Sequence, residues 1–399
     1  MYTEELLQTV QRHADEIVAI RRDIHHHPEL SFKEQRTSDL VAEKLAAWGY
    51  QVTRGLGGTG LVGQLKRGSG TRALGIRADM DALPIKEETG LKYASRNPGV
   101  MHACGHDGHT AMLLGAAKVL AERGGFSGTL NLIFQPAEEY GKADCGATRM
   151  IEDGLFDKFP CDAVFAMHNA PGVPAGTLVF HEGPMMASAD KVFITLRGVG
   201  GHGAAPHRAN DPVVAAASLV MALQTVVARN VDPLESAVVT VGVLQAGTVS
   251  NVIPQSAYLE LSVRALLPAV RDLLQKRITE LAQVQAQSFG MTAEVDYQRG
   301  YAVLVNTQPE TDFARRVAVE LVGAQRVIPQ GPAVMGSEDF AFMLEKRPGC
   351  YLLIGNGDSG PNGCMVHNPG FDFNDGNVTV GAAYWTLLAE RYLSEQPLA

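Results

Sequence analysis

Leu130-Asn131-Leu132-Ile133-Phe134 runs straight into Gln135-Pro136-Ala137-Glu138-Glu139. A short apolar run of this kind reads as a buried strand. Two adjacent carboxylates stand at its carboxyl end. The arrangement recurs along the chain. Leu74 to Ala78 leads into Asp79-Met80-Asp81, with Pro84 blocking continuation, and Ala163 to Met167 leads into His168. Leu61 to Leu65 is a further run with β character. Helical patterns lie between these runs, at 108–122 and 144–153. Such alternation predicts an α/β fold with a mostly parallel central sheet flanked by helices. Sites in open α/β sheets form at the carboxyl ends of strands, where these polar residues fall.

Outward from this core, Leu6, Val10, Ile17, Ile20 and Ile24 approximate one apolar helix face that ends near His25-His26-His27, before Pro28. A second helix covers about 34–48. The pattern changes after 186. Val192, Ile194 and Leu196 alternate as in a half-exposed antiparallel strand. Asp211-Pro212 opens a long helix, with Asp as N-cap and Pro at the first helical position. Strands at 237–244 and 257–263, a helix at 268–287 and a strand near 291–297 follow. Strand, helix, strand, strand, helix, strand is the split βαβ order of an α+β ferredoxin-like domain. The α/β pattern resumes near 305 with a helix at 308–323, a strand at 350–354 and a helix at about 376–394. The expected organisation is a catalytic domain of 1–186 and 300–399, with 187–299 inserted as a lid or dimerisation domain.

Composition narrows the function. Lys and Arg total 34 against 43 Asp and Glu, a net charge of −9. Nucleic acid is excluded as the main partner, since phosphate binding needs a basic footprint. No apolar stretch reaches 18 residues, so no membrane helix is expected. The acidic start, Met1 to Glu5, does not resemble a signal peptide. The 5 scattered cysteines make no disulfide framework, and a reducing cytoplasm is expected. Glycine is in excess, 42 of 399 residues, against about 7% in typical chains. It concentrates at Gly55–Gly63, Gly105–Gly108, Gly198–Gly203 and Gly355–Gly363. The first of these has no reason visible in the sequence.

The densest chemistry is Met101-His102-Ala103-Cys104-Gly105-His106-Asp107-Gly108-His109. A thiolate and an imidazole two residues apart can reach one site, and both suit zinc and other borderline divalent metals. His168 follows one strand, and His367 follows the glycine-rich loop after another. Cys104, His106, His168, His367 and Glu139 are too many ligands for one closed tetrahedral site. They suit two metals that share ligands and keep open positions. Glu138 is left over as a general base. Asp81 can hold a ligand histidine in its tautomer.

These segments, together with Gly200–His207, Asn251-Val252-Ile253-Pro254, Gly336–Phe340 and Gly355–Asn374, resemble the aminoacylase/carboxypeptidase family of dinuclear metallopeptidases. The similarity covers nearly the whole chain and falls in the branch of N-acyl-amino-acid amidohydrolases and hippurate hydrolases. The resemblance implies that Cys104, His106, Glu139, His168 and His367 bind two divalent metals, with zinc, manganese, nickel and cobalt all compatible. It implies Glu138 as the base that activates water and Asp81 as the acid that orients the ligands. Asp79 sits where other branches place a ligand histidine. His202 matches a donor to the substrate carbonyl oxygen, in relatives often across a dimer interface. Asn251 and Arg264 match holders of the substrate carboxylate.

The implied activity is hydrolysis of the amide bond of a small N-acyl amino acid by a homodimer or higher homo-oligomer. The resemblance leaves the acyl group open, and dipeptide or carboxypeptidase cleavage and N-acetyl-diaminopimelate deacetylation use the same machinery. Relatives usually continue from the two glutamates into a glycine run. Here Tyr140-Gly141-Lys142-Ala143-Asp144-Cys145-Gly146 is bulkier. Two rivals lie outside this class. One is a metal-free cysteine hydrolase with Cys104 activated by His106; the other is a non-catalytic metal-binding protein, which has no use for Glu138.

Overall fold

The spacing of Leu6, Val10, Ile17, Ile20 and Ile24 produces the helix Tyr2–His26 in the computed structural model, which describes residues 2–394. All five side chains are buried. The chain divides into two units. The first comprises Met1–Gly183, Val305–Pro332 and Phe342–Ala399; the second comprises Pro184–Leu304 and Ala333–Ala341. The segments 184–186, 300–304 and 333–341, which the sequence groups with the first unit, fall in the second.

The first unit is built on an 8-stranded sheet. Its four central strands, Gly128–Gln135, Ala73–Asp79, Ala163–Pro171 and Gly349–Gly357, run parallel in that order. These are the apolar runs of the sequence, buried on both faces as parallel strands require. Gly60–Arg67 joins antiparallel on one side, followed by Gln51–Leu56. Gln51–Leu56 was not expected; most of its residues are exposed or half-buried, so it carries no apolar run. Two further short strands close the other edge, Leu178–Val179 and Val327–Ile328. Register sets the site: Asp79 lies opposite Gln135 and Leu353 opposite His168. The segments that follow these strands therefore emerge at one edge.

The helix His106–Arg123 lies against the helices Tyr2–His26 and Asn377–Tyr392 and is buried nearly all round. Arg21 ties these helices together. Fully buried, it lies 2.8 Å from Asp107 and 2.6 Å from Asp372. His25 is also within 2.8 Å of Asp107.

The second unit carries an antiparallel sheet in the order Ala237–Ala246, Ser256–Ala265, Ser188–Arg197, Thr292–Arg299. The helices Pro212–Asn230 and Pro268–Ser288 pack on it around Leu219, Leu223, Leu259 and Leu274. This is the split βαβ order read from the sequence. Asp211 caps the first helix, accepting the Val213 N–H at 2.9 Å. One expectation needs correction. Pro212–Asn230 is long and apolar enough to cross a membrane, with mean hydropathy 1.6. Its face of Ala215, Ala216, Leu219, Leu223 and Val226 is buried in this unit's core, which accounts for part of the apolar composition.

Removing one partner of a buried ion pair leaves uncompensated charge, at a cost of about 3–5 kcal/mol. Arg21→Met is therefore expected to lower the unfolding free energy of the first unit, read from its denaturant unfolding curve, by that amount. A change below about 1 kcal/mol would contradict the role given to Arg21.

Candidate metal centre

The chain turns sharply before the helix His106–Arg123. Gly105 sits at φ 96°, in the left-handed region that glycine enters without strain. A Cβ there would stand 2.1 Å from Asn169 Oδ1. Glycine thus lets the loop press against the end of the Ala163–Pro171 strand. That contact brings Cys104 to His168: the thiol donates to His168 Nε2 across 3.2 Å. His168 Nδ1 donates to the Asn169 carbonyl at 2.7 Å. This bond fixes the tautomer and leaves Nε2 as the free electron pair. Burial, reinforced by His109, holds the His168 pKa well below the usual histidine range. The ring is a neutral imidazole, the form that binds metal.

His106 is oriented from behind in the same way. Its Nδ1 lies 3.2 Å from Asp81 Oδ1. Its Nε2 is buried and has no hydrogen-bond partner among the described residues; the Asp79 carboxylate is 3.7 Å away. An orphaned imidazole nitrogen aimed among acids is what a cation site requires. Burial works against charge on His106, but Asp79 and Asp81 override it and push the pKa up to about 10. A cation would take the place of that proton. Cys104 points the same way. Burial first, then Glu139 and Glu138, pushes its thiol well above its ordinary range. A metal-free nucleophile needs the opposite shift. His106 is also not its hydrogen-bond partner, so the cysteine-hydrolase reading loses its proposed base.

Asp81 joins the other side of the site. It accepts the backbone N–H of Glu138 at 3.1 Å and of Glu139 at 2.9 Å, and the Ser31 hydroxyl at 2.8 Å. Glu138 is buried and Glu139 partly so. Ala137, just before them, is at φ 53°, an unusual conformation for a non-glycine residue. His367 is also in this region, at φ 63°. Its N–H donates to the Ala103 carbonyl at 2.8 Å, and its Nε2 is 2.9 Å from Glu139 Oε1.

Ligand-type atoms of Cys104, His106 and His168 lie within 4.8 Å of one another, as do those of Cys104, Glu139 and His367. The two groups share the thiol. His106, Glu138 and Glu139 form a third group at the same spacing. All five ligands expected from the sequence are thus gathered, in an arrangement that fits two adjacent metal ions with a shared ligand. Asp79, His106 and His109 are equally close, but Asp79 and His109 serve each other. Asp79 is 2.6 Å from His109 Nδ1 and accepts from Arg77 at 2.6 Å; His109 Nε2 reaches Asn169 Oδ1 at 2.7 Å. Sequence reasoning gave no part to His109, Asn169, Arg77 or Ser31. His109 stood in the quoted stretch, and density was its signal. Asn169 stood beside His168 in a matching segment without a role of its own, and Ser31 had no signal, because its role depends on which loops meet.

In the second unit, His202 and Asn251 come together. His202 pairs with Val252, and Gly203 N–H donates to the Asn251 carbonyl at 2.8 Å. The Ala204 N–H donates to His202 Nδ1 at 3.0 Å. The ring proton therefore sits on Nε2, and the exposed ring offers a donor. Arg264 does not join them. It lies near the far end of the Ser256–Ala265 strand, donating to Ser337 Oγ at 3.2 Å. Ser256 to Arg264 spans roughly 26 Å at the usual strand rise.

Residues 75–391 match the model of peptidase family M20/M25/M40. A hippurate hydrolase of Campylobacter jejuni is 45% identical over 378 residues, 95% of this chain and 97% of the relative. An N-acetyl-L-cysteine deacetylase of Bacillus subtilis is 39% identical, covering 93% of this chain and 86% of that one. Among solved structures, a dinuclear metal-binding peptidase of the M20 family from Bacillus subtilis superposes with TM-score 0.83 at 33% identity, covering 96% of this chain and 99% of its own. The family model, the curated relatives and the fold agree: this chain belongs to peptidase family M20/M25/M40.

Proposed function

We propose that this chain is a metal-dependent amidohydrolase that cleaves N-acyl amino acids to the amino acid and a carboxylic acid, with Glu138 as general base. One observation carries the reading. Two ligand groups share Cys104, and a further carboxylate, Glu138, stands in the group with His106 and Glu139. The hippurate hydrolase and N-acetyl-L-cysteine deacetylase relatives support the substrate class. Cys104, His106, His168, Glu139 and His367 would hold two divalent ions. Zinc, manganese, nickel and cobalt all suit thiolate, imidazole and carboxylate donors. Bound there, such ions supply Lewis acidity, which draws the pKa of a water toward about 7 and polarises a carbonyl.

The protein's own groups do the rest. Glu138 takes the proton of the attacking water and returns it to the leaving amine. Asp81 fixes His106 and the backbone that carries both glutamates. His202, as an Nε2–H donor, is assigned to the carbonyl oxygen as it gains charge, where one such donor contributes about 3–4 kcal/mol. Asn251 and Arg264 are assigned to the substrate carboxylate. The length of the Ser256–Ala265 strand, which lies between them in the chain with Arg264 near its far end, supports a homodimer, in which the His202–Asn251 loop serves the other copy. Two features of the second unit fit such pairing. Ala237–Ala246 is an edge strand, and Val213, Val214 and Met221 are exposed on the helix Pro212–Asn230. A reducing cytoplasm is the proposed compartment, because oxidation would disable a thiol ligand.

Glu138→Ala is expected to keep wild-type metal content and to lose turnover by about 100-fold or more. Turnover near wild type on hippurate and N-acetyl amino acids would exclude Glu138 as the base. Elemental analysis of the reloaded enzyme should give two ions per chain. Cys104→Ala should weaken both, since the thiol is shared; two ions held with unchanged affinity would contradict that sharing.

A further inference from the structure

Glu34 lies outside every motif that carries the proposed chemistry, yet it is fully buried behind the site. Its Oε1 accepts two backbone N–H groups, from Phe32 and from Ala137, each at 2.9 Å. Its Oε2 accepts the Thr59 hydroxyl at 2.5 Å. One carboxylate therefore joins the loop before the second helix, the turn of the first hairpin, and the turn that presents Glu138 and Glu139.

The bond to Ala137 matters most. Ala137 holds a left-handed φ of 53°, which an alanine keeps only when its surroundings impose it. Its N–H is bound by Glu34, and the next two N–H groups are bound by Asp81. Three consecutive amides are thus held by two buried carboxylates, and the turn cannot rotate without breaking one of these bonds.

The hairpin turn explains one of the glycines at 55–63. A Cβ on Gly60 would stand 2.4 Å from the Leu56 carbonyl and 2.8 Å from Pro136 Cδ. Glycine there lets the turn lie directly on Pro136, within reach of Glu34 through Thr59.

We propose that Glu34 is a positioning residue for the hydrolysis: through the N–H of Ala137 it sets the direction in which Glu138 presents its carboxylate. The inference rests on the reading of Glu138 as the base. The bonds of Glu34 go to Phe32, Thr59 and Ala137 and to no proposed ligand side chain, so its loss should slow turnover and leave binding alone. Burial, with the Asp81 charge behind it, pushes the Glu34 carboxyl up to about 7. A neutral amide of the same shape can keep these bonds: its oxygen accepts the two N–H groups and its NH2 donates to Thr59 Oγ.

The test compares metal-loaded wild type, Glu34→Ala, Glu34→Gln, Thr59→Val and Glu138→Ala on one N-acyl amino acid. Metal content, melting temperature, kcat and KM are measured for each. Glu34→Ala is expected to keep its metal and KM while kcat falls about 10–100-fold, the scale of a small misplacement of a catalytic group. Glu34→Gln should stay within about threefold of wild type. Wild-type kcat in Glu34→Ala, a loss that follows metal content or KM, or a Gln variant as impaired as Ala would each overturn the proposal. If Glu34→Ala fails to fold, Thr59→Val decides: a lower kcat at unchanged metal content supports the proposal, and an unchanged kcat overturns it. Activity in Glu138→Ala would instead sink the reading of the base itself.

Discussion

The site depends on where Asp81 places its two carboxylate oxygens. One oxygen meets His106 Nδ1 and the Glu138 N–H; the other takes the Glu139 N–H and the Ser31 hydroxyl. Burial alone would raise its pKa, but the His106 bond and the backbone donors hold it low. It therefore stays charged in the interior. The register of the parallel strands makes this possible. Asp79 and Gln135 are paired, so the residues just beyond them can share one acceptor.

A site of this kind is costly when empty of positive charge. Asp79, Asp81 and Glu138 are buried, Glu139 partly, and Cys104 is buried beside them. Arg77 answers part of this charge by pairing with Asp79 at 2.6 Å. The rest falls on His106, which Asp79 and Asp81 push up to about 10, while burial holds His168 neutral. Divalent ions would replace the proton on His106 and draw the thiol of Cys104 into its thiolate form. The left-handed residues Ala137 and His367 lie beside proposed functional groups. Strain of that kind persists where surrounding contacts over-determine the backbone.

Much of this was legible in the sequence because it rests on local signals. Apolar runs became the four central parallel strands. Asp211-Pro212 became a capped helix start, and the strand–helix order gave the split βαβ unit. The five ligand candidates were visible because cysteine, histidine and acid types cluster after strands. What stayed hidden depends on long-range meeting. The strand Gln51–Leu56 has mostly exposed or half-buried residues and no apolar run to announce it. Ser31 and Glu34 carry no motif; they matter only because distant loops converge. The apolar helix Pro212–Asn230 shows the reverse hazard, since its composition alone fits a membrane span while its buried face packs into a core. Among the glycines at 55–63, Gly60 makes sense only once Pro136 lies against it.

The central claim is that the buried thiol, imidazoles and carboxylates act by holding metal. Hydrolysis of an N-acyl amino acid such as hippurate, followed in excess chelator and again after divalent metal is restored, tests it most directly. The account predicts loss of turnover on stripping, with the fold intact, and recovery on reloading. Full activity in the metal-stripped enzyme would contradict it.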